Sequence, residues 1–421
     1  MTDFHALIEE YRGCACGQAH ECQIRDIRIG SGLVSQVGQI LKENGFGSRL
    51  LLAADVHTLA AAEGILPSLR EFTLVRHIWP SIRVATMQDV QAIENQLDAV
   101  DGVLAVGTGS VHDPCRLACA RKHVPLCLFA TAPSMDGFAS YSAPIVDGCF
   151  KITYPAKCPE VIIGDTKILA AAPARLKSAG FGDMVSKYVA LIDWQVSNLL
   201  TGESYCARVA ALTRRAADQI FAMADRVTKR DEETAAAIFE SLLLTGIAMS
   251  FTKTSRPGSG TEHIMAHFWE CMDLLAGRTP NFHGEDVGVT TLLILEYYQK
   301  LAGLTRVQAH PEVCNWDEIY SIYGELAPDV RRLNTPDTIT DGIDPRKIEQ
   351  LWPQIRQIVQ SVPSADACRA AMQRAGCRTT PEQVGRDADF TQLSFRYHPY
   401  MRRRLSLKRV SHMLQLPPEL L

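Results

Sequence analysis

The sequence is not expected to hold an apolar run that crosses a bilayer. Its most apolar stretch, "SLLLTGIAMSF" (241–251), is short and follows Glu240, so membrane insertion is not expected. The start carries no charged-then-apolar stretch ahead of a small-residue cleavage site, so a cytoplasmic chain without a signal peptide is expected. Strong charge of either sign is also missing: the net charge is −4 and the isoelectric point about 6.3. Nothing global therefore favours nucleic acid or an anionic membrane. The one basic cluster, Arg402, Arg403, Arg404, Lys408 and Arg409 in "RYHPYMRRRLSLKR", reads as a solvated helix face. There is no internal repeat and no low-complexity segment.

Cysteine is not scarce. Thirteen are scattered without a framework spacing, an odd number that argues for reduced thiols. What is absent is the paired Cys-x-x-Cys of common zinc ribbons. In "CACGQAHEC", Cys14, Cys16, Cys22 and His20 have the donor types for a structural zinc, but the spacing favours a reduced surface loop.

What remains is an ordinary globular balance, 47% hydrophobic and 21% charged over 421 residues, enough for two domains with their own cores. Residues 24–165 alternate between short apolar runs and helical patterns. The runs are "LLLAAD" (50–55), "FTLVRHI" (72–78), "GVLAVG" (102–107), "PLCLFAT" (125–131) and "EVIIGD" (160–165); helices are predicted over 31–44 and 86–100. This alternation predicts a doubly wound, Rossmann-like parallel sheet that binds ligand beyond the carboxyl ends of its strands. Asp147-Gly148 between two short apolar runs predicts a β-hairpin over 139–158. After residue 166 strand signals stop, so the expected division is an α/β domain over 1–165 and an all-helical domain over 166–421.

Chemistry-bearing residues fall at the joints of this pattern. "VGTGSVHD" (106–113) leaves a strand and enters a helix, where Gly107 and Gly109 allow a pyrophosphate to approach unpaired N–H groups; His112 stands where a dinucleotide fingerprint has its third glycine. Asp55 ends an earlier strand, where a carboxylate grips an adenosine ribose and repels a 2′-phosphate, favouring NAD over NADP; Asp also caps helices well, and the two roles are compatible. "FATAPSMDGFAS" (129–140) puts Thr131, Ser134, Asp136 and Ser140 on a loop after a strand. Further on, "AGFGDMVSKY" supplies Asp183, "GTEHIMAHFWE" supplies His263 and His267, and "NFHGEDVGV" supplies His283. One carboxylate and two imidazoles from separate helices can make an open three-ligand metal site. The zinc-protease signature His-Glu-x-x-His does not fit, because the order here is Glu-His-x-x-x-His.

Taken in order, Asp55, "GTGSVHD", "TAPSMDGFAS", "AGFGDMVSKY", "SGTEHIMAHFWE" and "HGEDVGV" resemble the polyol branch of the iron-containing alcohol dehydrogenase superfamily over roughly residues 10–320. The resemblance implies a dehydroquinate synthase-like architecture. It also implies a metal-dependent oxidoreductase that interconverts dihydroxyacetone phosphate and sn-glycerol 1-phosphate, working as a homodimer or larger homo-oligomer in lipid synthesis. NAD or NADP and one divalent ion, Zn²⁺ or Ni²⁺, would be its cofactors. Carried over residue by residue, the metal ligands would be Asp183, His263 and His283. Asp183 and His267 would be catalytic, and both would contact substrate together with Asp136. The cofactor would be held by Asp55, Gly109, Ser110, Val111, His112, Asp113, Thr131, Ser134 and Ser140.

Two departures from that pattern matter. Thr108 replaces a glycine of the pyrophosphate turn. Lys187 stands where iron-using relatives have a fourth ligand, and a lysine is a poor one. "SRPGSG" (255–260), with Arg256, is expected to help hold the substrate phosphate. The competing readings are a glycerol dehydrogenase, a sugar-phosphate cyclase of the dehydroquinate synthase type, whose glycine-rich substrate loop is missing, and an inactive nucleotide-binding homologue.

Overall fold

A computed structural model describes residues 2–420 of the chain. Strands β1 (Asp26–Gly30), β2 (Arg49–Asp55), β3 (Thr73–Trp79), β4 (Gly102–Gly107), β5 (Leu126–Ala130) and β8 (Val161–Asp165) form one parallel sheet in the order β1-β8-β5-β4-β2-β3. The central strands are short apolar runs because both their faces are covered. Leu51, Ala53, Val103, Ala105, Leu126 and Leu128 point to one face, packed with the helices Met87–Leu97 and Gly109–Lys122. Leu50, Leu52, Ala54, Leu104, Val106, Cys127 and Phe129 point to the other, packed with Val37–Glu43 and Ile65–Ser68. The split is strict alternation, as the pleat requires.

Chain order reverses between β2 and β4, opening a crevice at their carboxyl ends. The ends are level: Asp55 pairs with Trp79, Ala54 with Val106, and Gly107 with Ala130. β6 (Ser142–Asp147) and β7 (Phe150–Pro155) form the predicted antiparallel hairpin, turning at Gly148, whose φ is +62°.

From Thr166 onward the described chain is helical apart from one isolated bridge, Ala309 to Leu414. The helix predicted over 31–44 is a 3₁₀ turn (Leu33–Gln36) followed by a helix (Val37–Glu43). Two helices, Ala174–Val185 and Lys187–Thr201, meet at Ser186. The Glu232–Thr252 helix is long and apolar enough to cross a membrane, but 89% of its apolar window is buried, so it is a core helix. The first helix, Phe4–Arg12, packs into the helical part: Tyr11 stacks on Phe251 with centroids 5.0 Å apart.

The C-terminal basic cluster is only partly solvated: Arg403 is exposed, and Arg402 and Arg404 are half-buried. Lys408 and Arg409 are buried, and Arg409 pairs with Glu312 at 2.9 Å. Arg404 donates to Ser259 O at 2.7 Å and to Ser255 Oγ at 2.5 Å. The Arg404 contacts tie the C-terminal segment to the 255–260 turn, and Glu312 anchors Arg409.

Candidate metal and nucleotide site

Three helices bring the candidate ligands together, and two glycines let them do so. A Cβ on Gly182 would lie 2.4 Å from Gly284 O, and one on Gly284 would lie 1.9 Å from Ala179 O. The helix ending at Val185 and the helix starting at His283 therefore touch backbone to backbone, placing Asp183 beside His283. Gly180 does the same for the 131–137 loop, since its Cβ would meet Pro133 O at 2.0 Å. The Thr261–Leu275 helix adds His263. Its start is fixed by Asp193, which accepts from Thr261 N at 2.7 Å and from Tyr298 Oη at 2.7 Å.

One donor atom each from Asp183, His263 and His283 lies within 4.8 Å of the others. The two imidazoles are oriented alike. His263 Nδ1 donates to Glu262 Oε1 at 2.7 Å, and His283 Nδ1 donates to Glu270 Oε1 at 2.8 Å. Each Nε2 is thereby left as a lone-pair donor, and His263 Nε2 lies 3.4 Å from Asp183 Oδ1. Carboxylates behind ligand imidazoles are what metal sites use to fix tautomer and aim. The donor set fits a divalent cation such as zinc. Neither Glu262 nor Glu270 has a role at the level of sequence, since the only one on offer, a protease base at Glu262, does not fit; both sit in "GTEHIMAHFWE", one residue before a ligand and thirteen before the other.

Lys187 takes the remaining corner. Its buried Nζ is 2.8 Å from Asp183 Oδ1, 2.8 Å from Asp136 Oδ2 and 2.9 Å from Gly258 O. Burial disfavours its charge, but the two carboxylates outweigh that and raise its pKa. Burial likewise opposes ionisation of Asp183, yet Lys187 and His263 hold its carboxyl below the usual range. Lys187 is thus an ion-pair partner of a ligand, and three protein donors remain.

His267 lies in the same pocket, its ring stacked on His283 with centroids 5.4 Å apart. Burial, reinforced by Lys151, keeps it neutral. With Glu270 and His283 it forms a second, overlapping donor group. Glu270 is already engaged there, pairing with Lys151 at 2.6 Å as well as with His283.

His263, His267, Glu270, His283 and Lys151 line one cavity of about 390 Å³, which runs to the crevice between β2 and β4; Asp183 and Lys187 are fully buried and are not part of its lining. At the crevice end Asp55, Gly109, Ser110, Asp113, Ser134 and Ser140 line it; at the other end Asp136, His263, His267 and His283 do. Asp55 also caps the Val56–Ala61 helix, accepting from Thr58 N at 2.7 Å. Val111, His112 and Thr131 are not part of the lining. The N–H groups of Val111 and His112 both bond to Thr108 O, and Thr131 N bonds to Gly107 O. The His112 ring is fully buried against Phe138, 5.5 Å between centroids.

Arg256 does not face the cavity. Its guanidinium is bound by Glu203 (2.5 and 2.8 Å), Leu405 O (2.8 Å) and Ser197 Oγ (3.1 Å), which leaves no fork for a phosphate. Ser255, Gly258 and Ser259 of the same turn do line the cavity, whose lining cations are Arg83 and Lys151.

A family model described as iron-containing alcohol dehydrogenase matches residues 28–173. Among curated relatives, a glycerol-1-phosphate dehydrogenase (NAD(P)+) of Geobacillus stearothermophilus is 30% identical over 399 residues, covering 93% of each chain. A protein of the same name from Methanothermobacter thermautotrophicus is 32% identical over 327 residues, covering 77% of this chain and 86% of its own. Among solved structures, an archaeal halo-thermophilic Red Sea brine pool alcohol dehydrogenase matches with a TM-score of 0.63 at 15% identity, covering 93% of this chain and 96% of its own. A probable glycerol dehydrogenase from Sinorhizobium meliloti matches with a TM-score of 0.55 at 18% identity, covering 84% and 96%. The structural matches establish the fold.

Proposed function

The chain belongs to the iron-containing alcohol dehydrogenase family, among its glycerol-1-phosphate dehydrogenases, and from this we propose that it interconverts dihydroxyacetone phosphate and sn-glycerol 1-phosphate with NAD(H) or NADP(H). The observation that carries the reading is the continuous cavity that joins a nucleotide crevice at Asp55 and Gly109 to His263 and His283, whose donor atoms group with that of the buried Asp183.

In this reading residues 1–165 hold the cofactor, residues 166–421 hold the metal and most of the substrate, and Asp136 and Lys151 reach the substrate from the first part. Asp183, His263 and His283 hold a divalent ion, zinc or nickel, since an Asp/His₂ set suits both. When bound, the ion supplies Lewis acidity to the substrate's C2 oxygen and the nicotinamide supplies the hydride. Glu262 and Glu270 keep the ligand imidazoles in the donating tautomer. His267, neutral and facing the cavity, positions the substrate hydroxyls and relays the proton that ends on the C2 oxygen. Asp136, tied to Asp183 by its own N–H at 2.9 Å and by Lys187, faces the same space and accepts from the terminal hydroxyl. The Asp55 carboxylate at the crevice favours NAD over NADP. Lys151, a cation that lines the cavity and pairs there with Glu270, receives the phosphate in place of Arg256. The chain works as a homodimer or larger homo-oligomer.

The test is steady-state NADH oxidation with dihydroxyacetone phosphate and with unphosphorylated dihydroxyacetone. The phosphorylated ketone is expected to be the far better substrate. Equal or better turnover of dihydroxyacetone would move the assignment to a polyol dehydrogenase without phosphate specificity.

A further inference from the structure

The segment 13–25 has neither helix nor strand, yet His20 within it is fully buried. Its surroundings assemble a second donor set, remote in sequence from the first. Cys14, Cys16, His20 and Cys206 each bring one donor atom within 4.8 Å of the others. Cys206 comes from about 190 residues downstream, where it caps the Ala207–Phe221 helix. Cys22, the third thiol of the local motif, is instead buried against Cys158.

The spacing suits an ion better than a disulfide. Cys14 Sγ and Cys206 Sγ are 3.7 Å apart. Two thiolates on one tetrahedral zinc, each with an arm of about 2.3 Å, stand about 3.8 Å apart; a disulfide needs about 2.05 Å. Cys16 Sγ is 3.1 Å from His20 Nε2. The imidazole is pre-set for ligation: His20 Nδ1 donates to Phe251 O at 3.0 Å, so Nε2 carries the lone pair and faces the thiols. Gly17, with φ +79°, makes the left-handed turn that brings His20 back over Cys16.

We propose that Cys14, Cys16, His20 and Cys206 bind a structural zinc ion, distinct from the ion of the Asp183 site. Four protein donors close the tetrahedron, leaving no position for substrate. The ion would tie the N-terminal segment to the start of the Ala207–Phe221 helix and, through His20, to the end of the Glu232–Thr252 helix. This supplies the anchor that a stretch without regular structure otherwise lacks.

The test uses the full-length protein purified under reducing conditions and loaded with cobalt(II). The Asp183 site has no sulfur donor, so thiolate-to-cobalt charge-transfer absorption in the near ultraviolet reports the cysteine site alone. The absorption is expected in the wild-type protein and in His263→Ala, and is expected to vanish in Cys206→Ala and in Cys16→Ser. Elemental analysis of the zinc-loaded protein should give two ions per chain in the wild type and one in each of those three variants. Absence of the charge-transfer band from cobalt-loaded wild-type protein overturns the proposal, as does a zinc content unchanged by Cys16→Ser. A Cys14–Cys206 disulfide found by mass spectrometry in the protein as purified does so too. None of these results bears on the Asp183 site, so the two assignments stand or fall separately.

Discussion

Glu262 Oε1 sits 2.7 Å from His263 Nδ1, so the carboxylate that looked idle beside the two histidines is the one that aims the first of them. It also accepts from Gly260 N at 2.8 Å, which ties the helix start to the same group. Glu262→Gln should keep the fold and lower metal affinity about 10–100-fold, the usual cost of losing a carboxylate behind a ligand imidazole. Activity measured against metal concentration checks this. A positioning role predicts recovery at saturating metal; a loss that excess metal does not rescue would contradict it.

His263 and His267 sit one turn apart on one helix but are assigned different work. His263→Ala should lose the bound ion. His267→Ala should keep it and lose about 10²–10⁴-fold in kcat, the range for removing a proton-transfer group. Metal content measured beside kcat separates the two. Loss of the ion from His267→Ala would instead favour the overlapping group His267, Glu270 and His283 as the metal site.

Gly182→Ala drives a methyl group to 2.4 Å from Gly284 O, so the two helices must part. The overpacking should cost about 1–3 kcal/mol of stability. It should also weaken metal binding, because Asp183 and His283 ride on the separated helices. Thermal unfolding with and without added metal tests this. A variant with wild-type stability and full metal content would show that the close approach is dispensable.

Asp55→Ala removes both a helix cap and the carboxylate at the nucleotide crevice. The cap loss should lower stability by about 0.5–2 kcal/mol. KM for NADH should rise while KM for NADPH rises less or falls, because the group that repels a 2′-phosphate is gone. Equal changes for the two cofactors would leave Asp55 as a cap only.

Lys151→Ala should depress turnover of dihydroxyacetone phosphate more than that of dihydroxyacetone, and Arg256→Ala should affect both equally by unseating Glu203. The ratio of kcat/KM for the two ketones, measured in each variant, reads this directly. A selective loss in Arg256→Ala alone would restore the sequence-based expectation.

The α/β half was legible because burial on both faces leaves a plain mark, the short apolar runs of β2, β4, β5 and β8. Edge strand β1, half-exposed, left a weaker mark and was not named among the runs. Asp183, His263 and His283 were legible because glycines stand near them in sequence; Gly182 and Gly284 lie within helices rather than turns and serve helix contact. Partners far apart in sequence left no local signal. Arg256 looked like an anion site because Glu203, which occupies it, lies some fifty residues away. Cys14 and Cys16 looked like a loop because their completing thiol is Cys206. The basic C-terminus looked solvated because nothing local reveals that Glu312 waits for Arg409.

The central claim is that the ion held by Asp183, His263 and His283 serves reduction of the C2 ketone of dihydroxyacetone phosphate. It is tested most directly by following NADH oxidation with that substrate before chelation, after it, and after zinc or nickel is restored, with chiral analysis of the product. The prediction is activity that disappears with the ion, returns with it, and yields sn-glycerol 1-phosphate. Undiminished turnover in protein shown to be metal-free, or a product of the opposite configuration, would contradict it.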